Sequence, residues 1–300
     1  MAELVATAMT ESEASSASFQ RYYEEAGPDY AAWSAQFNMH FGFFRWGMNP
    51  FNREAMLERM NREVLERLQL NGEVARGTHA RILDMGCGLG ATLRSIAHRL
   101  PEAELFGITL VPWQLDQGRL LNQACGADRI TLALGDYEGT TFSSGSFDGV
   151  YAVESSCYGH GADKAALLAE SYRLLRRGGR MVVADGFLGP GKLRGLQKSM
   201  YRKLRDCWVI DGLGEVDKFT RAMERIGFKD VVVEQVQARV TPSVFHVPWV
   251  TLKFLLTSVV FGKRRMTRAR WNNLLAPILL PFVGFPVGPI AYYIVSGTRG

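Results

Sequence analysis

The residues best suited to chemistry form a glycine-rich turn between a predicted strand and a predicted helix. A buried strand ends at Leu83, Asp84 follows, and the turn contains Gly86, Gly88 and Gly90. Glycines leave backbone N–H groups open to a ligand, and the start of the next helix adds further donors. The sequence therefore predicts a pocket for a cofactor that contains a nucleoside.

The ends of the next two predicted strands narrow the choice of cofactor. Thr109 and Leu110 stand where a nicotinamide or flavin enzyme would place an acidic residue against a ribose, so these cofactors are disfavoured. Asp84 can accept hydrogen bonds from an amino-acid moiety. Asp136 can accept from an adenine amino group, and Tyr137 can lie against the ring.

Strands that alternate with helices position these residues. The hydrophobic pattern predicts strands at 81–85, 104–108, 130–134, 147–153 and 180–185, with helices at 91–100, 111–125 and 164–175 and a turn at Gly178-Gly179. Such alternation is typical of a doubly wound, Rossmann-like α/β fold whose parallel sheet is covered on both faces. The carboxyl ends of its strands then meet at one edge, where ligands bind.

The rest of the chain is predicted to surround this core. We expect a disordered tail at 1–18, a helical aromatic arm at 19–75, the core at 76–239, a hydrophobic insert at 240–289 and a last strand at 290–300. A hydrophobic content of 47% excludes disorder for most of the length, and a net charge of +5 does not argue for nucleic acid. Four scattered cysteines predict neither a disulfide framework nor a metal site, and no leader is expected at the N-terminus, which favours a cytoplasmic protein.

Several segments together resemble a known family. They are Asp84-x-Gly86-Cys87-Gly88-x-Gly90, Gly107-Ile108-Thr109-Leu110 with Gln114, Gly135-Asp136-Tyr137, the segment 150–158 and the aromatic segment 38–44. Over residues 20–240 the chain resembles class I S-adenosylmethionine (SAM)-dependent methyltransferases, in particular the group that methylates sterol side chains and tocopherols and forms cyclopropane fatty acids. The resemblance implies SAM as the cofactor, Gln114 at its ribose, and an antiparallel last strand.

Methyl transfer requires an acceptor pocket and, for many acceptors, a base. The aromatic residues Trp33, Phe37, Phe41, Phe44 and Trp46 are predicted to line that pocket, where aromatic faces stabilise a carbocation without trapping it. The alternative is that the arm only packs on the core.

Three side chains are candidates for the base: Glu154, His160 and His40. Glu154 follows the fourth strand and His160 lies in a glycine-flanked loop at the same edge. Each could instead have a structural role, as a hydrogen-bonding partner or a solvated turn residue.

These observations predict C-methylation of a hydrophobic isoprenoid: a sterol side chain, a prenyl chain or a prenyl diphosphate, the last bringing Mg²⁺ with it. The alternatives are ring methylation of a prenylated phenol, quinol or natural-product scaffold, a cyclopropane-type lipid reaction, an inactive module that binds SAM or lipid, and a nicotinamide enzyme.

The insert 240–289 has three interpretations. It caps a lipid pocket, touches a membrane surface with the basic helix 192–208 and the run Lys263–Arg270, or packs as core or homo-oligomer contact. The uncharged stretch 271–298 is long enough to span a membrane, but its four prolines argue against a continuous helix.

Overall fold

The computed structural model describes residues 17–70, 79–191, 193–262, 265–283 and 288–300. Of the predicted tail, residues 1–16 lie outside this part of the chain, as do Lys192 and the pair Lys263-Arg264 of the two basic segments. Residues 17 and 18 belong to the first helix rather than to the tail, and the predicted boundary between arm and core, at 75–76, also falls outside the described residues.

The described strands form one sheet. They are β1 (Arg81–Met85), β2 (Glu104–Thr109), β3 (Ile130–Leu134), β4 (Phe147–Val153), β5 (Leu175–Leu188), β6 (Gly214–Glu215), β7 (Phe228–Gln235) and β8 (Ile290–Arg299). Their order is β3-β2-β1-β4-β5-β8-β7, and β6 pairs with β5 beyond this path. The first five strands are parallel, whereas β8 lies antiparallel between β5 and β7. The predicted doubly wound sheet and its antiparallel last strand are confirmed.

Helices precede the sheet, connect its strands and form the insert. They are α1 (17–26), α2 (Arg53–Arg67), α3 (Ala91–Arg99), α4 (Pro112–Ala124), α5 (Ala165–Leu174), α6 (Gly195–Trp208), α7 (Val216–Ile226), α8 (Gln237–Val244), α9 (Val247–Phe254), which continues as a π-helix over Leu255–Phe261, and α10 (Arg268–Leu279). Asn52 caps α2 as its sequence predicts, since its side chain accepts from Ala55 N at 3.0 Å.

One prediction about the fifth strand is wrong. Gly178 and Gly179 do not form a turn that precedes the strand, because β5 already begins at Leu175. Gly178 has φ 76°, and the register with β4 is irregular between Phe147 and Gly149. The glycine pair therefore forms an irregularity inside the strand, where a positive φ is cheap only for glycine.

The last strand also decides how the uncharged stretch 271–298 folds. Helix α10 ends at Leu279, and from Ile290 the chain is in the central sheet, where Ala184 pairs with Ile294. The stretch is thus divided between a helix and a buried strand and is not one membrane-spanning helix. The insert itself consists of α8, α9 and α10, placed between two neighbouring strands of the sheet.

Candidate active site

Asp84 and the glycine turn lie at the carboxyl end of β1, in the middle of the sheet. The Asp84 side chain is buried, and burial raises the pKa of its carboxyl to about 7. Gly86 has φ 95°, and a Cβ there would lie 2.4 Å from Ser155 Cβ. The turn therefore passes so close to β4 that only glycine fits.

The second strand end holds a paired threonine and glutamine. Thr109 Oγ1 donates to Gln114 Oε1 at 2.6 Å, and both side chains are buried. The carbonyl oxygen of Gln114 is thus occupied, which leaves its amide N–H groups as donors for a ligand. Gln20 of α1 donates to Leu110 O at 2.9 Å, so the first helix is held against this edge of the sheet.

These strand ends surround one cavity, hereafter the donor pocket. Seven of the predicted cofactor residues line it: Asp84, Gly86, Gly88, Thr109, Leu110, Gln114 and Tyr137. A carboxyl for an ammonium group, amide donors for ribose hydroxyls and an apolar wall suit SAM. Phe19 and Tyr23 of the predicted aromatic arm also line the pocket, as do Thr92 and Ser155, which were not predicted.

Asp136 is not brought into the donor pocket. It is exposed, and its Oδ1 accepts a hydrogen bond from Glu138 N at 2.8 Å, which closes a local turn. The predicted contact between this carboxylate and an adenine amino group is therefore not supported by the geometry, whereas the neighbouring Tyr137 is buried at the pocket.

A second cavity, hereafter the acceptor cavity, adjoins the donor pocket. The two share five lining residues: Tyr23, Met39, His40, Glu154 and Tyr158. The acceptor cavity is the larger, with a volume of ≈ 180 Å³ against ≈ 80 Å³. Much of its wall comes from α9 and α10, through Val247, Val250, Phe254, Leu274 and Pro277. The insert therefore encloses the space next to the donor pocket.

Glu154 lies at the junction of the two cavities. It follows β4 with φ 48°, a strained conformation for a non-glycine residue, and its Oε1 accepts from Phe41 N at 2.7 Å and from the Tyr292 hydroxyl at 2.9 Å. Burial raises the pKa of Glu154 to about 8, against the opposing effect of the Phe41 N–H. A carboxyl whose pKa lies near neutral pH can either accept or donate a proton at this position.

The two histidine candidates are less favourably placed. His40 lines both cavities, but its Nδ1 lies 2.9 Å from Phe41 O and its Nε2 lies 2.9 Å from Asn61 Oδ1, so protein groups occupy both ring nitrogens. His160 lies outside both cavities with a side chain that is 70% exposed, and it pairs with Glu138 Oε2 at 2.5 Å. Neither geometry supports the predicted role of base.

The aromatic arm divides between the cavities and the surface. Trp33 and Phe41 line the acceptor cavity, and Phe37 lines the donor pocket instead. Phe44 and Trp46 line neither, and Trp46 is 83% exposed. The prediction that these two residues line the acceptor site is therefore wrong: residues 33–52 contain no regular helix or strand, so no periodicity indicated which aromatic side chains face inward.

The acceptor cavity contains acidic residues that the sequence did not reveal. Asp185 is buried near the end of β5 and accepts from the Ser156 hydroxyl at 2.6 Å, and burial raises its pKa. Asp29 precedes α2 and lies 3.6 Å from Arg270 of α10. The signal for Asp185 was its place near the end of a predicted strand. Among the described residues that line this cavity, none is a lysine or an arginine.

Comparison with known proteins agrees with this geometry. Residues 82–179 match a family model described as a methyltransferase domain. A probable chloroplastic tocopherol O-methyltransferase of Oryza sativa subsp. japonica is 24% identical over 288 residues, which cover 92% of this chain and 75% of that protein. These matches identify residues 82–179 as the methyltransferase domain of a SAM-dependent enzyme.

Two further comparisons show how far the likeness extends. Methyltransferase phqN of Penicillium fellutanum is 30% identical to this methyltransferase over 203 residues, and the match covers 62% of the chain and 60% of that protein. A solved geranyl diphosphate methyltransferase, in complex with geranyl diphosphate and sinefungin, superposes with a TM-score of 0.73 at 17% identity, over 95% of this chain and all of the other. At that identity the superposition shows a shared fold.

Proposed function

We propose that this methyltransferase transfers a methyl group from SAM to a hydrophobic, phosphate-free acceptor of isoprenoid type, with Glu154 as the base. The observation that carries the proposal is the position of Glu154. It lines both cavities, and burial raises its pKa to about 8. A group at this junction can reach the acceptor atom that receives the methyl group.

The chain's own residues have three tasks in this reaction. SAM supplies the methyl group as an electrophilic sulfonium. Asp84, Gln114 and the glycine turn hold it, and the arm and insert exclude water from the acceptor cavity. When an alkene attacks the methyl carbon, the carbon–sulfur bond breaks, S-adenosylhomocysteine leaves and the acceptor becomes a carbocation, which aromatic side chains such as Trp33 and Phe41 stabilise. Glu154 then accepts the proton that restores neutrality.

The charged side chains that line the acceptor cavity favour an isoprenoid acceptor without a diphosphate group. Its lining includes the carboxyls of Asp29, Glu154 and Asp185, and its described lining residues include no lysine or arginine. Among the described residues next to this lining, Arg270 lies 3.6 Å from Asp29 and is already paired with it, so a diphosphate group would enter at a cost of several kcal/mol. A sterol side chain or a neutral prenyl chain is therefore the better acceptor. Described residues also contain no cluster of three or more histidines, cysteines or carboxyls suited to a metal.

A prenylated phenol is the second candidate. The tocopherol O-methyltransferase relative supports it, and so does the raised pKa of Glu154, which brings the carboxyl closer to the pKa of a phenol near 10. In this reaction Glu154 removes the phenolic proton while the ring or its oxygen takes the methyl group.

A labelled-methyl assay separates these acceptors. The full chain is incubated with SAM labelled at the methyl group and a panel of a sterol with an unsaturated side chain, a prenyl alcohol, a prenylated phenol and geranyl diphosphate with Mg²⁺. We expect label in one of the first three and none in the diphosphate. Turnover of the diphosphate alone would refute the acceptor class. SAM binding with no transfer to any acceptor would favour the inactive binding module.

A further inference from the structure

The helix that walls the acceptor cavity is apolar on both of its faces. Val247, Val250 and Phe254 face the cavity. The opposite stripe of α9 and its flanking residues is exposed, with Phe245 at 72%, Trp249 at 66% and Leu252 at 48%. Leu256 and Val260 continue this stripe along the π-helix. A helix that is apolar all round normally buries both faces, and here one face has no protein cover among the described residues.

Helix α10 likewise has one side at the acceptor cavity and an exposed apolar stripe. Its inner residues Leu274 and Pro277 line the acceptor cavity. The exposed apolar residues of α10 and of the 3-10 helix that follows it, Leu280–Val283, have the same spacing of four, three and four positions as the stripe on α9: Trp271, Leu275, Ile278 and Phe282. In the described part of the chain, ten of the seventeen exposed large apolar side chains lie within residues 245–282. We call these exposed residues the apolar face.

The charged residues in the sequence of this C-terminal region are all basic. From Gln235 to Gly300 the sequence contains eight lysines and arginines and no aspartate or glutamate. Lys253 lies on α9 beside the apolar face, Arg265 precedes α10, and Arg268 is the first residue of α10; all three are exposed. Exposed aromatic and aliphatic side chains next to positive charge are the composition that anionic lipid surfaces attract.

We propose that the apolar face docks on the surface of an anionic lipid bilayer, with Lys253, Arg265 and Arg268 at the headgroups. Because α9 and α10 also wall the acceptor cavity, docking places that cavity next to the source of a hydrophobic acceptor. Only this last consequence rests on the proposed function. The docking itself rests on the exposed stripes and on the charge.

Surface docking fits this helix better than a membrane span. One helical run among the described residues, Gln237–Phe261, is long and apolar enough to cross a membrane, with a mean hydropathy of 1.6. Its first part is held by the protein, since Gln237 Oε1 accepts from Tyr292 N at 2.7 Å and Ser243 Oγ accepts from Gly42 N at 2.8 Å. The remaining Val247–Phe261 measures only about 22 Å, short of the roughly 30 Å of a hydrocarbon core.

Vesicle sedimentation tests the proposal. The full chain is mixed with vesicles of phosphatidylcholine alone, or with vesicles in which about a third of the lipid is phosphatidylglycerol. We expect sedimentation with the anionic vesicles, at least about tenfold weaker binding to the neutral ones, and release by high salt. Two variants should each weaken binding to the anionic vesicles by about tenfold: Phe245→Ser with Trp249→Ser, and Lys253→Glu with Arg268→Glu. The control is Leu120→Ser, an exposed apolar residue on α4, and it should bind as wild type.

Several results would overturn the proposal. The first two are no binding to either kind of vesicle and equal binding by all variants. Bound protein that resists extraction with alkaline carbonate would indicate a membrane span. A wild-type dimer that becomes a monomer in the Phe245→Ser, Trp249→Ser double variant would indicate that the apolar face is a contact between two copies of the chain. SAM binding, measured by calorimetry on the same samples, keeps this test separate from the proposed function. Normal SAM affinity without vesicle binding refutes docking alone.

Discussion

Lowering the pH should weaken SAM binding, because the carboxyl of Asp84 must be ionised to hold an ammonium group. Burial raises the pKa of Asp84 to about 7 in the unliganded protein. Its carboxyl is therefore about nine-tenths ionised near pH 8 and about one-tenth ionised near pH 6. The affinity contributed by this carboxyl follows the ionised fraction, so the dissociation constant, relative to that of a variant without the carboxyl, should rise about tenfold from pH 8 to pH 6, or about 1.4 kcal/mol.

Calorimetric titration with SAM measures this effect directly. The amino group of SAM also titrates near pH 8, so the Asp84→Asn variant serves as the control: it shares the titration of the ligand and lacks that of the carboxyl. The ratio of wild-type to variant affinity should rise with pH and level off above about pH 8. Near pH 7, wild-type binding should also release about half a proton more than binding by the Asp84→Asn variant does, which titrations in two buffers of different ionisation enthalpy detect. A ratio that stays flat from about pH 6 to pH 8 would refute the placement of Asp84 at the ammonium group.

Three further changes test other parts of the site. Gly86→Ala places a Cβ 2.4 Å from Ser155 Cβ, so we expect thermal unfolding to show a loss of about 1–3 kcal/mol together with weaker SAM binding; an unchanged melting temperature would contradict the close approach. Tyr292→Phe removes a hydrogen bond that lowers the pKa of Glu154, so the midpoint of the kcat–pH profile should move upward, and an unmoved midpoint would mean that Glu154 does not set it. His160→Ala should keep kcat within about twofold of wild type, since this side chain is exposed and outside both cavities; a loss beyond about tenfold would restore it as a candidate base.

The sequence indicated which strand ends meet at the donor pocket, and the reason is physical. Asp84 and Thr109 lie at the ends of their strands and Glu154 directly follows one. Each strand has a clear hydrophobic pattern, and parallel strands bring their carboxyl ends to one edge whatever the details of packing. The requirement for glycine at position 86 could also be predicted from the sequence, because the tight turn after a buried strand needs a glycine there.

The acceptor side depends on packing between distant segments, which local patterns do not encode. Tyr292 reaches Glu154 only because β8 returns to the centre of the sheet after the insert. Trp33 faces the acceptor cavity and Trp46 faces solvent, although both belong to one aromatic stretch. The strained φ of Glu154 could not be predicted from the sequence either, because a glutamate at that position does not indicate a positive φ.

The most direct test of the account is the kcat of Glu154→Gln with the acceptor that the labelled-methyl assay identifies. Glutamine keeps the size of the side chain and a carbonyl oxygen for Phe41 N and the Tyr292 hydroxyl, but it cannot accept a proton. We predict that kcat falls by about 10²–10⁴-fold while SAM affinity stays within about twofold of wild type. A kcat near that of wild type, or a large loss of SAM affinity, would contradict the assignment of Glu154 as the base between the two cavities.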